Sequence, residues 1–153
     1  MLWRAFLIAG LALVSIEGSA PAAAQSTKVT SAQIVRVTSP VGGTEYPSDG
    51  AYSRTYDHNG AYFEVAVNEI GYASSRSATF VGKLPSSALV SSTAICTNSA
   101  TPPACRSGQT VIGYQSIWRF NAQAITGASN PIGQFSTSIS GNGGSASDSI
   151  QIR

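Results

Sequence analysis

An all-β fold, most simply a small antiparallel β-sandwich with an open β-barrel as the alternative, is predicted by three observations on this chain. Short segments alternate apolar and polar side chains with a period of two, and clusters of Gly, Pro, Ser and Asn punctuate them. Nowhere after the N-terminal leader does an apolar pattern of period 3.6 persist for three helical turns.

The elements follow in order. Ile34-Val35-Arg36-Val37-Thr38 is rich in β-branched side chains and stops at Ser39-Pro40 and Gly42-Gly43, which read as a turn. Ala61 to Val67 is the clearest strand, with Phe63, Val65 and Val67 on the core face and Tyr62, Glu64 and Ala66 on the other. Ser77 to Val81 is a shorter strand ended by Gly82, and Pro85 to Val90 suits either a helical turn or an edge strand. Thr110 to Phe120 carries the longest signal: Ile112, Tyr114, Trp118 and Phe120 share one face with Ser116, which predicts a central strand with Trp118 in the core. Phe135, Thr137 and Ile139 alternate with polar neighbours, and Ile150 with Ile152 closes the chain after the turn Gly141-Asn142-Gly143-Gly144. About five to seven strands result. Two connections are long for such a domain, Pro40 to Gly60 and Asn121 to Gly133, and loops of that length in a compact domain are usually either functional or poorly ordered.

Residues 1–24 read as an export signal: Arg4 is the positive n-region, Ala5 to Ile16 the apolar run, and Ala22-Ala23-Ala24 the small-residue cleavage pattern. The apolar run is shorter than the roughly 20 residues a membrane-spanning helix needs. The expected product starts at Gln25 and is secreted or periplasmic, without a membrane anchor. Residues 25–32 are expected to form a flexible lead and residues 33–153 a single β domain.

Charge and cysteine content narrow the function classes. The chain has 9 Lys and Arg against 7 Asp and Glu, and charged residues make up only 10% of it. With no basic cluster there is little of the phosphate-neutralising field that nucleic-acid binding requires. Cys96 and Cys105 bracket CTNSATPPAC, and in an oxidising compartment they most economically close one short disulfide loop. A zinc site would need two more ligands, yet there is one His and neither cysteine has a partner at zinc-finger spacing. No metal or other cofactor is expected.

His58, in Asp57-His58-Asn59-Gly60, reads either as a general base oriented by a carboxylate or as an exposed turn histidine, and the second reading is preferred. There is no Gly-x-Ser-x-Gly elbow, and a single His excludes the His-Glu-x-x-His zinc motif. A glycosidase-type pair could be drawn from Glu45, Asp49, Asp57, Glu64, Glu69 and Asp148, with Glu64 and Glu69 expected as solvated surface groups. Gly143 to Ile150 resembles one imperfect calcium-binding nonapeptide, for which a glycine-rich hairpin is the simpler reading.

The most distinctive feature is aromatic. Tyr46, Tyr52, Tyr56 and Tyr62 crowd the long loop and its exit, with Asp49, Arg54, Asp57, His58 and Asn59 between them. Tyrosine joins a flat apolar face to a hydroxyl at modest entropic cost, as recognition surfaces require. Tyr46, Tyr52, Arg54, Tyr56, Asp57 and His58 are the candidate binding residues, the competing reading being that one or two tyrosines anchor the loop to the sheet.

The succession from CTNSATPPAC through GQTVIGYQSIWRF to the terminal SIQIR resembles small exported bacterial proteins of a domain-of-unknown-function family, over residues 33–153. The resemblance implies a secreted bacterial β domain and brings no catalytic residue with it. The leading expectation is a non-enzymatic binding module for a cell-envelope glycan or protein. A small extracellular hydrolase using His58 or a carboxylate pair is one alternative, and a secreted inhibitor or antagonistic peptide another.

Overall fold

The computed structural model describes residues 27–47, 58, 60–81, 89–97, 105–106, 108–121, 133–141 and 143–152. Among these, eight strands and no helix occur: β1 (Ser31–Ser39), β2 (Gly43–Glu45), β3 (Tyr62–Ile70), β4 (Ser75–Phe80), β5 (Leu89–Cys96), β6 (Val111–Asn121), β7 (Gly133–Gly141) and β8 (Gly144–Ile152). All pairings are antiparallel. They build a five-stranded sheet in the order β2-β1-β3-β6-β5 and a three-stranded sheet in the order β4-β7-β8. The two sheets form a sandwich that does not close into a barrel.

The core lies where the apolar faces of the two sheets meet. Phe63, Val65 and Val67 of β3 and Trp118 and Phe120 of β6 pack against Ala78, Phe80, Phe135, Ile150 and Ile152 of the smaller sheet. Register explains the selection, since Phe63 faces Phe120 and Val65 faces Trp118 across β3 and β6. Trp118 is 6% exposed, so its strand presents the face that alternation predicted.

Other elements extend beyond or differ from the sequence pattern. β1 starts at Ser31, pairing Ser31, Ala32 and Gln33 with Ile70, Glu69 and Asn68. Upstream of it, Thr30 N–H donates to Ile70 O, Thr27 O accepts from Tyr72 N–H, and Val29 is buried. Backbone pairing, which leaves no apolar period in polar residues, thus holds residues 27–32 where a flexible lead was expected. The turn after β1 is Pro40 to Gly42, and Gly43 begins a further strand, β2, inside the connection expected as one long loop. β3 runs to Ile70, three residues past its expected end. The undecided segment Pro85 to Val90 runs at Leu89 and Val90 into the edge strand β5, whose middle residues Ser91, Ser92 and Thr93 are exposed and carry no apolar face to betray it.

Gly71 links β3 to β4 with φ +103°, and a Cβ there would lie 2.3 Å from Lys28 O. Only glycine meets both conditions. The sheets are also tied by Asp148 of β8, whose Oδ2 accepts from Ile34 N–H at 2.7 Å beside the register shift in β1. The segment that resembles one calcium nonapeptide enters β8 at Gly144 and is joined to β7 in the hairpin that was the simpler reading, with Gly141 opposite Gly144.

Cys96, at the end of β5, is disulfide-bonded to Cys105, with Cα atoms 5.7 Å apart. The bridge lies in the β5–β6 connection, next to Thr97 N–H donating to Thr110 O. A closed loop of about ten residues corresponds to about 2.7 kcal/mol in the chain-entropy model.

Candidate functional site

The β1–β2 hairpin and the segment that returns to β3 bring three polar side chains together inside the protein. Ser39 and Glu45 flank the turn Pro40 to Gly42, and the antiparallel register places Glu45 opposite Val37 and Gly43 opposite Ser39. Val37 is a core residue, so Glu45 and Ser39, two residues along, share its inward face. His58 enters over that face. Its Nε2 lies 2.9 Å from Glu45 Oε2 and its Nδ1 3.1 Å from Ser39 Oγ.

The exposed turn histidine is therefore overturned. His58 is 0% exposed, Ser39 3% and Glu45 7%. A polar ring is tolerated there because both nitrogens are partnered, which removes the cost of burying unsatisfied donors and acceptors. Nε2 is hydrogen-bonded to the Glu45 carboxylate and Nδ1 to the Ser39 hydroxyl, and Ser39 Oγ in turn accepts from Gly42 N–H at 2.8 Å. The chain Gly42, Ser39, His58, Glu45 is continuous. It ties the turn, both strands of the hairpin and the far end of the connecting segment to one buried point.

The sequence leaves the carboxylate beside His58 open between Asp57 and another, and points to neither Ser39 nor Glu45 as its partner. The available signal was their placement on either side of a Pro-Val-Gly turn. It was weak because a three-residue strand has too few positions to show alternation.

Of the other candidate binding residues, Tyr46 is adjacent to the buried trio and points to solvent, 74% exposed. Val41, at the hairpin turn, is 64% exposed and packs near Gly60. Tyr52, Arg54, Tyr56 and Asp57 lie outside the described residues. Tyr62 is half-buried on β3, where the Arg119 guanidinium sits 4.6 Å from its ring centroid and also binds Glu64. That tyrosine belongs to a sheet face with its own partners.

The four described carboxylates are each engaged: Glu45 with His58, Glu64 with Arg119, Glu69 with Arg76, and Asp148 with the Ile34 amide. Glu64 and Glu69 lie on opposite faces of β3, so they do not form a pair across a substrate. Glu69 is a correction: it is 0% exposed, because β3 continues past Val67 and Arg76 of the facing sheet reaches it at 2.6 Å. No three His, Cys, Asp or Glu side chains gather into a cluster that could hold a metal ion among the described residues.

The model of the domain of unknown function DUF4879 matches residues 20–152, and the chain belongs to that family. No curated protein matches the chain. No solved structure matches it either.

Proposed function

We propose that this family member is an exported binding module that presents the segment 44–60 to a cell-envelope glycan or protein. The observation that carries this reading is the buried Ser39–His58–Glu45 clamp, which fixes both ends of a tyrosine-rich segment and leaves Tyr46 projecting into solvent. A loop with a fixed stem loses less entropy on binding than a free one. Tyr52, Arg54, Tyr56 and Asp57 belong to the same proposed surface.

Export is supported by the leader-like residues 1–24 and by the Cys96–Cys105 disulfide, which suits an oxidising compartment. Intact-mass measurement on culture medium and periplasmic fractions of the bacterial host should find a chain starting at Gln25. A species retaining Met1 to Ala24 in those fractions defeats the proposal of export.

Replacing Tyr46, Tyr52 and Tyr56 together by Ala should abolish retention on purified cell-envelope glycan or on an identified envelope protein, while stability changes by no more than about 0.5 kcal/mol per exposed site. The assay is run beside a melting curve. A stable triple variant that binds normally sinks the recognition surface, and a strongly destabilised one shows that the tyrosines anchor the loop instead.

One observation favours a second reading, hydrolysis. Ser39, His58 and Glu45 have the connectivity of a nucleophile, base and orienting carboxylate. Their burial, and the Gly42 N–H already bound to Ser39 Oγ, weigh against attack by Ser39 on a substrate carbonyl. Turnover of p-nitrophenyl acetate together with fluorophosphonate labelling, both lost in Ser39→Ala, would decide for the hydrolase.

A further inference from the structure

The smaller sheet turns an unusual face to solvent. Its inward positions hold the core residues Ala78, Phe80, Phe135, Ile139 and Ile150. Its outward positions form cross-strand rungs: beyond an exposed pair of amides, Gln134 and Gln151, two hydroxyl rungs run from Ser75 through Ser140 to Ser145 and from Thr79 through Ser136 to Ser149. The rung between them is Ser77, Ser138 and Ser147. All three rungs carry only hydroxyl side chains.

Nothing in the fold requires this uniformity. An exposed sheet face ordinarily mixes charged and β-branched side chains, which favour strand structure more than Ser does. Here every position of the three rungs but Thr79 gives up that propensity for Ser. The same face holds an open trough of about 580 Å³, lined chiefly by the central rung and the rung of Thr79. Ser77 Oγ and Ser138 Oγ are 2.9 Å apart, so neighbouring hydroxyls already orient one another.

We propose that this face binds a neutral polysaccharide chain lying in the trough. Complementarity selects the occupant. The rungs offer no cation for a nucleic acid or other polyanion and no aromatic or aliphatic anchor for a protein interface. They offer a repeating array of groups that each donate one hydrogen bond and accept two. Rungs recur about every 6.7 Å along the strands, and strands about every 4.8 Å across them. A polymer carrying hydroxyls on every unit can satisfy such an array repeatedly, and Ser has little side-chain entropy to lose when it does. The twist of antiparallel sheets curves the array, which suits a chain better than a flat crystal plane.

This site is separate from the 44–60 segment, and its test separates the two. The purified chain is incubated with insoluble cellulose, chitin, curdlan and starch, and the fraction retained is measured. The unaltered protein should be retained on at least one of them, and the double variant Ser138→Lys, Ser147→Lys should be retained at least tenfold less. Gln115→Lys, on the other sheet, should be retained normally. Circular dichroism melts check folding, and if the lysine variant does not fold, Ser77→Ala, Ser138→Ala and Ser147→Ala together remove the central hydroxyls with minimal change of shape. Any of four results overturns the proposal: no retention on the four polymers, equal retention of the rung variants, retention only on an acidic polymer such as polygalacturonate, or thermal hysteresis in a freezing assay that the rung variants lose while polymer retention is absent.

Discussion

Phe120→Ala is expected to lower the stability of the domain by about 3 to 5 kcal/mol, the range for emptying a large aromatic site in a core. The upper part of the range applies, because Phe120 is fully buried and touches three other rings. It stacks on Phe63 at 5.3 Å, meets Phe135 edge-on at 5.6 Å and leans on Phe80 at 6.2 Å. Each such pair adds about 0.5 to 1.5 kcal/mol beyond area burial. Phe63 and Phe120 come from the larger sheet and Phe80 and Phe135 from the smaller, so two of the three lost ring contacts join the sheets. With a total stability of about 5 to 15 kcal/mol for a typical domain, the variant should unfold at much lower denaturant concentration or fail to fold. Equilibrium urea unfolding measures it. A loss below about 1.5 kcal/mol would mean that the sheets repack around the gap and that the four rings do not act as one unit.

The sandwich was legible in the sequence wherever a strand has one face in the core and one outside it. β3 and β6 show this best: Phe63, Val65 and Val67 alternate with polar or small residues, as do Trp118 and Phe120, and all five are buried. Legibility fails where burial comes from partners instead of from alternation. β5 reads as LVSSTAIC and is held by its pairing with β6 along a single edge, with its stretch Val90 to Thr93 exposed. β2 is too short to have a period. Residues 27–30 are fixed by backbone hydrogen bonds that leave no mark on side-chain choice.

The candidate site was half legible for the same reason. His58 and its tyrosine-rich surroundings stood out by composition, but composition says nothing about which way a side chain points. An inward His needs partners for two nitrogens, and here they come from Ser39 and Glu45, residues 19 and 13 positions away. The hydroxyl rungs were visible only as abundant Ser, until strand register sorted them from Phe135, Ile139 and Ile150 on the reverse face.

Arg76→Ala should be the most damaging change to a charged residue, costing about 3 kcal/mol, the lower end of the range for breaking a buried ion pair from one side. Arg76 Nε donates to Glu69 Oε2 at 2.6 Å, and the guanidinium lies 5.6 Å from the Tyr114 ring centroid. The pair is asymmetric: the Arg76 side chain is 24% exposed and that of Glu69 is 0% exposed. Removing the arginine strands a carboxylate whose other oxygen, Oε1, already has no hydrogen-bond partner. Removing the carboxylate instead, as in Glu69→Gln, frees an arginine that can turn toward water, so its cost should be smaller. The double variant Glu69→Leu, Arg76→Met should come close to the original stability, since well-packed apolar side chains avoid the desolvation that the ion pair only partly offsets. Denaturant unfolding of these three variants beside the unaltered protein checks all of these. An Arg76→Ala loss under about 1 kcal/mol, or one no greater than that of Glu69→Gln, would show that water reaches Glu69 and that its burial at the end of β3 carries no such penalty.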